Sequence, residues 1–329
     1  MSPPPRAETG VPASKDVPRL ASVLLAFAAV YLIWGSTYLA IRWAIETMPP
    51  LLMAAARFLV AGALLYAWQL AKGVPIPRRA QWKAAAIGGA FLLVGGNGAV
   101  VIAQQWVPSG IAALVVASVP LWMVLMDWFF GSRVAPSVRA WAGLATGFVG
   151  VALLAGSPGV GAGGSEELIG ALFLLVAAMS WAAGSIYTRY AQGLPEPLSL
   201  VSMQMLTGGT ILLMLSLAFG DLARLDVASI SMKSSLALMY LILFGALVGY
   251  GSYIWLLRVV TPARVATYAY VNPVVAMLLG WALADEPLTL RSLAAAAIIL
   301  GAVVLITTES WGSRGTGGAR VRRRRYDDN

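Results

Sequence analysis

Apolar residues in this chain fall in blocks of about twenty, parted by short polar punctuation instead of alternating with polar positions. The blocks lie near 20–41, 51–71, 84–104, 111–130, 137–155, 168–188, 198–219, 236–257, 263–284 and 290–308. Each is close to the roughly 20 residues a helix needs to cross a hydrocarbon core. The breaks are marked by Pro49-Pro50, Pro75-Ile76-Pro77, Pro108-Ser109-Gly110 and Pro195-Glu196-Pro197. Two blocks carry proline at their centre: Ala113–Met126 around Pro120, and Ala266–Gly280 around Asn272-Pro273. Proline has no N–H and clashes one turn back, so both stretches are expected to be broken helices, with the carbonyl of Ala269 freed in the second. In a membrane such a group is tolerated only against protein or a water-filled cavity. A matched pair of them points to a transporter's binding site.

The two prolines also align in a repeat. A shift of 153 residues brings Gly96 onto Gly249, Gly98 onto Gly251 and Pro120 onto Pro273. A shift of 147 brings Trp34 onto Trp181, Arg42 onto Arg189 and Pro50 onto Pro197. Each half then holds five spans, and because five is odd the second half enters the membrane from the opposite face. The expected fold is an all-α membrane protein of ten transmembrane helices arranged as two inverted five-helix repeats. Its expected parts are a disordered tail at 1–18, a first repeat at 19–157, a second at 158–309 and a basic disordered tail at 310–329.

Composition sharpens this picture. The chain of 329 residues is 59% hydrophobic and only 11% charged, with a mean hydropathy of +0.79, against about a quarter charged for a soluble domain. It has no Cys and no His. Disulfides, thiolate or ordinary zinc sites and His-dependent triads are therefore excluded, and no cofactor, metal or enzymatic activity is expected. The net charge of +9 raises the question of nucleic acid, but the basic residues flank apolar blocks, where topology accounts for them. Of the 23 Lys and Arg, Arg42, Arg224, Lys233 and Arg291 fall on one side and Arg57 inside a span; the rest share the side of both termini. That bias places both termini in the cytoplasm. The polar, Pro-rich start of the chain does not read as a secretory signal peptide.

Three stretches carry a family likeness: Trp34-Gly35-Ser36-Thr37-Tyr38; Asn97-Gly98 followed by Val107-Pro108-Ser109-Gly110-Ile111-Ala112-Ala113; and Tyr268-Ala269-Tyr270-Val271-Asn272-Pro273-Val274. On these the chain resembles EamA-type members of the drug/metabolite transporter superfamily, most of all the YedA-like bacterial inner-membrane exporters, from about residue 20 to 308. The resemblance implies a ten-helix exporter with a central cavity that moves amino acids or other small metabolites outward. The chain departs from the family pattern at Val119-Pro120, where the first half lacks the asparagine. It also departs after the fourth span, where Gly131-Ser132-Arg133 replaces the usual acid that Asp285-Glu286 supplies in the second half.

A cavity needs polar or aromatic groups at membrane depth. Asn97 and Asn272 are mid-span amides, suited to a substrate or to a bond between helices. Trp34, Tyr38, Trp181, Tyr250, Tyr253 and Tyr270, with Tyr268 beside them, place rings where aromatics are not ordinarily found, since Trp and Tyr favour the headgroup level. They suit an apolar or aromatic substrate, or an amine through cation–π contact; ordinary helix packing is the alternative. Gln104 and Gln105 near the end of the third span suit an exit path. Two charges lie inside spans. Arg57 either attracts a carboxylate or snorkels to the surface. Asp127 is the one intramembrane carboxylate able to carry proton coupling, or else an end-of-helix acid.

Two further patterns are set aside. Gly159–Gly164 fits G-x-G-x-x-G but follows no strand, as the dinucleotide fingerprint requires. Gly143, Gly147 and Gly150 fit a close-packing helix face, within the chain or in a dimer. The expected function is export of small metabolites, neutral or hydrophobic amino acids foremost, by alternating access around a midplane cavity. Efflux of hydrophobic drugs is the alternative, and a channel or membrane scaffold the more distant one. The expected partners are a small-molecule substrate and the lipid bilayer of a bacterial inner membrane, with a monomer favoured over a dimer and no nucleic acid.

Overall fold

The computed structural model describes residues 19–131, 133, 135, 137–154, 165–260, 265 and 268–312. Among these residues every regular element is helical. The helices are α1 (Leu20–Ala44), α2 (Pro50–Ala71), α3 (Arg79–Ala103), α4 (Ser109–Phe130), α5 (Val138–Leu154), α6 (Ser165–Tyr190), α7 (Pro197–Ala218), α8 (Met232–Val259), α9 (Tyr268–Ala284) and α10 (Leu290–Gly312). Seven of them (α1 to α4 and α6 to α8) are long and apolar enough to cross a membrane, and Val271–Ala284 and Leu290–Ala302 are shorter apolar helices. Helix α10 runs on to Gly312, past the expected end at 308. The tail at 1–18, the remainder of the C-terminal tail, the boundary at 157/158 and the Gly159–Gly164 stretch lie outside the described residues.

The packing pairs the two halves. Helix α2 lies along α7 and α5 along α10, while α3 packs on α6 and α8 on α1. Helix α4 meets α6, and α9 meets both α1 and the first part of α4. Small residues set these distances. A Cβ on Gly62 of α2 would meet Met205 of α7, and one on Gly209 of α7 would meet Leu59 of α2. On α5, Gly147 lies against Leu121 and Gly150 against Ile299 of α10, so the glycine face there serves packing inside the chain. Such close approach substitutes for the hydrophobic drive that lipid does not supply between helices.

The two prolines behave differently. Helix α4 is broken at Ala117-Ser118 into Ser109–Val116 and Val119–Phe130. Pro120 sits in the first turn of the second piece, where its missing N–H has no partner to lose. Helix α9, in contrast, is continuous from Tyr268 to Ala284 with Pro273 inside it, so the expected break does not occur there. Close packing accounts for this: a Cβ on Gly35 of α1 would run into Val275 and lie 3.3 Å from the Asn272 carbonyl. A helix held that tightly survives the loss of one backbone bond, which costs about 3 kcal/mol in an isolated helix.

Candidate functional site

Three helices open into π-helical turns as they reach the middle of the bundle: Ala29–Ile33 in α1, Ala90–Gly98 in α3 and Leu241–Tyr250 in α8. Such widening disturbs the regular ladder and often marks functional sites. In each segment a side chain from another helix donates to one carbonyl. With its amide nitrogen turned towards them, Asn272 of α9 donates to the carbonyls of Tyr31 (3.0 Å) and Tyr268 (3.3 Å). Ser180 Oγ of α6 donates to Phe91 O at 2.8 Å, and Trp34 Nε1 of α1 to Gly245 O at 3.1 Å.

Residues of the α3 and α8 segments, with Trp34 just past the α1 segment, line a cavity of about 60 Å³. Its walls come from both halves: Trp34, Thr37, Tyr38 and Ile41 of α1, Arg57 and Phe58 of α2, and Gly96 and Asn97 of α3 from the first; Trp181, Gly245, Tyr250, Tyr268 and Asn272 from the second. The tryptophans meet edge to face, with ring centres 5.4 Å apart. Their seats are equivalent. A Cβ on Gly249 would meet the Trp34 indole, and one on Gly96 would meet that of Trp181. Trp34 and Trp181 correspond under the 147-residue shift, Gly96 and Gly249 under the 153-residue shift. Tyr268 stands edge-on to Trp34 at 5.5 Å, and Tyr253 packs against Trp34 (5.0 Å) and Trp181 (5.5 Å).

Near the Ile41 end of the cavity a buried carboxylate ties three elements together. Glu286, only 7% exposed, accepts from Arg42 Nη1 (3.0 Å) and from the backbone N–H groups of Ser109 (2.8 Å) and Gly110 (3.1 Å). A carboxylate at the start of a helix satisfies orphan N–H groups and the positive end of the dipole. It joins α1, α4 and the α9–α10 turn. Beside it Lys233 pairs with Glu46 at 2.7 Å, and Ser234 Oγ donates to Trp43 O. Beside this junction lies a vestibule of about 450 Å³ lined by Arg42, Ile45, Glu46, Gln104, Gln105 and Trp106. Gln104 Nε2 donates to Tyr38 O at 2.9 Å, and Ile41 lines the cavity where Arg42 lines the vestibule, so the two adjoin along α1. Towards the other end a groove of about 870 Å³ runs between α1, α2, α7 and α8, with Lys72 and Glu196 among its walls.

The sequence candidates are thus dispersed. Trp34, Tyr38, Asn97, Trp181, Tyr250 and Asn272 line the cavity. Tyr253 lies behind the tryptophans, fully buried, its hydroxyl 2.7 Å from Ser185 Oγ and 3.2 Å from Trp181 Nε1. Gln104 belongs to the vestibule. The side chain of Tyr270 lies outside the described residues. Pro120 and Pro273 are buried but do not wall the cavity. Asp127 lies near the far end of α4, where it accepts from Tyr190 at 2.7 Å, away from the cavity walls. Arg57 does not snorkel: it is 3% exposed and faces the cavity. The Glu286 junction escapes sequence reasoning, because the residues it joins lie 176 to 244 positions away. The one signal was the acid retained after α9.

Several known proteins are similar to this chain along most of its length. The inner membrane transporter YedA of Escherichia coli (strain K12) is 41% identical over 283 residues, covering 86% of this chain and 89% of YedA. The transporter YvbV of Bacillus subtilis (strain 168) is 25% identical over 90% of this chain and 94% of its own. A probable amino-acid metabolite efflux pump of Escherichia coli (strain K12) is 27% identical over 86% of this chain and 94% of the pump. One solved crystal structure, 22% identical, superposes with a TM-score of 0.65 over 88% of this chain and 98% of that one, which bears on the fold alone. The EamA-like transporter family matches twice, over residues 20–156 and again over 168–308. Trp34 and Gly96 fall in the first match and Trp181 and Gly249 in the second, and the chain belongs to the EamA-like transporter family.

Proposed function

We propose that this protein exports small metabolites, neutral or hydrophobic amino acids foremost, across the bacterial inner membrane by alternating access. In this reading ten spans form two inverted five-helix repeats with both termini in the cytoplasm. The pairing of equivalent helices supports it: α3 on α6 matches α8 on α1, and α4 on α6 matches α9 on α1. So do the turns after α4 and α9, where Arg133 (φ 57°) and Asp285 (φ 51°) both take left-handed backbone. The Arg42–Glu286 end is then the outer face, and the groove lies towards the cytoplasm.

The observation that carries the reading is a cavity to which both halves contribute equivalent tryptophans, with the Arg42–Glu286 pair near one end and a groove between α1, α2, α7 and α8 towards the other. Its aromatic walls and two amides suit a compact, partly apolar solute. At about 60 Å³ it is far below the roughly 300–1,000 Å³ of ligand sites, so either kind of substrate, amino acid or hydrophobic drug, requires the alternating-access cycle to widen it. The test is uptake of a labelled amino-acid panel into liposomes carrying the purified protein, with and without a pH gradient. Saturable flux of neutral amino acids is expected. Accumulation of hydrophobic dyes with no amino-acid flux would replace this reading with drug efflux. If flux needs the gradient, Asp127→Asn should abolish that dependence, and an unchanged dependence removes Asp127 from coupling.

A further inference from the structure

Among the described residues, Arg57 is a buried cation with nothing of opposite charge beside it. None of the residues lining the cavity is acidic. A guanidinium has five donors in a planar fork, yet among the described residues the only hydrogen bond it makes is from Nη1 to Asn97 Oδ1, long at 3.4 Å. Its Nε is buried and has no acceptor. The edge opposite Nη1 lies against bare backbone, for a Cβ on Gly245 would meet Nη2. The Phe58 ring, 4.8 Å from Cζ, shields the charge without neutralising it. Buried charges are ordinarily paired, and an ionisable group at membrane depth that lacks a partner marks a substrate path by default.

The other half supplies an internal control. The counterpart of Arg57 under the 147-residue shift is Gln204, which is neutral and satisfied. Its Oε1 accepts from Tyr250 at 2.6 Å and its Nε2 donates to Thr188 Oγ1 at 3.4 Å. The fold therefore does not require a cation at this position, and the charge at 57 answers to something the protein alone does not provide.

We propose that Arg57 is the anion anchor of the cavity and that substrates are recognised through a free carboxylate, seated on its guanidinium with an apolar or aromatic body against Trp34 and Trp181. This rests on the transport reading and names its substrate class: organic acids and amino acids with a free carboxylate, not their amides or decarboxylated amines. A single guanidinium balances one negative charge, and its fork matches a carboxylate in two parallel hydrogen bonds. A phosphate dianion would leave a net negative charge in a cavity whose walls hold no second cation.

The test is calorimetric titration of the purified full-length protein in detergent with 3-phenylpropionate, phenylalanine, phenylalaninamide and inorganic phosphate. The two carboxylates should bind, phenylalaninamide about ten-fold or more weaker, and phosphate not at all. Arg57→Gln, which gives the first half the side chain that Gln204 supplies in the second, should weaken both carboxylates about ten-fold and leave phenylalaninamide unchanged, with Arg57→Lys between. Equal binding of phenylalanine and its amide, binding of phosphate in place of the carboxylates, no heat from any probe, or undiminished carboxylate binding by the Gln variant would each overturn the proposal. The comparison of acid with amide on the unaltered chain needs no variant to fold. Carboxylate binding that depends on Arg57, without flux in liposomes, would sink the transport reading alone. Flux that does not distinguish acid from amide would sink this proposal alone.

Discussion

The two halves of the chain hold the same kinds of residue at equivalent places and use them differently. Pro120 stands just past a real break in α4, whereas Pro273 rides inside an unbroken α9 clamped onto α1. Arg57 faces the cavity with donors to spare, whereas Gln204 is closed off by Tyr250 and Thr188. Glu286 caps α4 from the turn after α9, whereas the turn after α4 offers Gly131 and Arg133. The tryptophans are the exception, since Trp34 on Gly249 and Trp181 on Gly96 repeat the same contact. The lesson is that the two halves share packing geometry more than they share charge. A seat for an indole is a shape, and both halves hold one; the charge and the cap each occur in one half alone.

The largest break in that asymmetry should come at the Glu286 junction. Glu286→Ala leaves Arg42 unpaired and two buried N–H groups without an acceptor. A loss of about 3 kcal/mol is expected, the low end for breaking a buried pair because Arg42 is partly exposed. The chain has no cysteine, so a Tyr38→Cys probe labelled from the vestibule side reports opening directly. Labelling should quicken in the Ala background, and an unchanged rate would mean that Glu286 stabilises the fold without closing the cavity.

The shared tryptophan seats should respond alike. Gly249→Val and Gly96→Val each force a side chain into an indole, for a destabilisation of about 1–3 kcal/mol by overpacking and a loss of flux in both. Thermal melts that differ widely between the two variants would show the seats not to be equivalent. The prolines should diverge. Pro273→Ala restores a backbone N–H inside a continuous helix and is expected to raise stability by about 1 kcal/mol, part of the intrinsic proline penalty. Pro120→Ala, in the first turn of its helix, should change it by less than half as much. Equal effects in denaturant or heat would erase the distinction between the two helices. The smallest effect is expected from Lys233→Met. Its pair with Glu46 is exposed on both sides, so less than about 1 kcal/mol is at stake, and that loss should vanish at high salt.

Much of this organisation was legible along the chain. The apolar blocks marked the helices, since a bilayer demands about twenty apolar residues and nothing else does. The repeat marked Trp34 with Trp181 and Gly96 with Gly249 before either contact was known. The glycines at 95, 96 and 98 and at 245, 249 and 251 were the trace of the π-helical turns in α3 and α8. Composition does not specify a π turn, however, because its cost is repaid only by donors such as Ser180 and Trp34 on other helices.

What the sequence determined by itself is therefore the class, the family likeness, the internal sequence repeat and the polar and aromatic part of the cavity's lining, because those follow from hydropathy, period and residue type. What only the tertiary structure decided is which polar groups are satisfied. It left Arg57 open and Gln204 closed, drew Asn272 to the carbonyl of Tyr31, put Tyr253 behind the tryptophans and carried Glu286 onto the start of α4. A hydrogen bond reaches about 3 Å, and no spacing along the chain reveals which groups from distant helices will come that close.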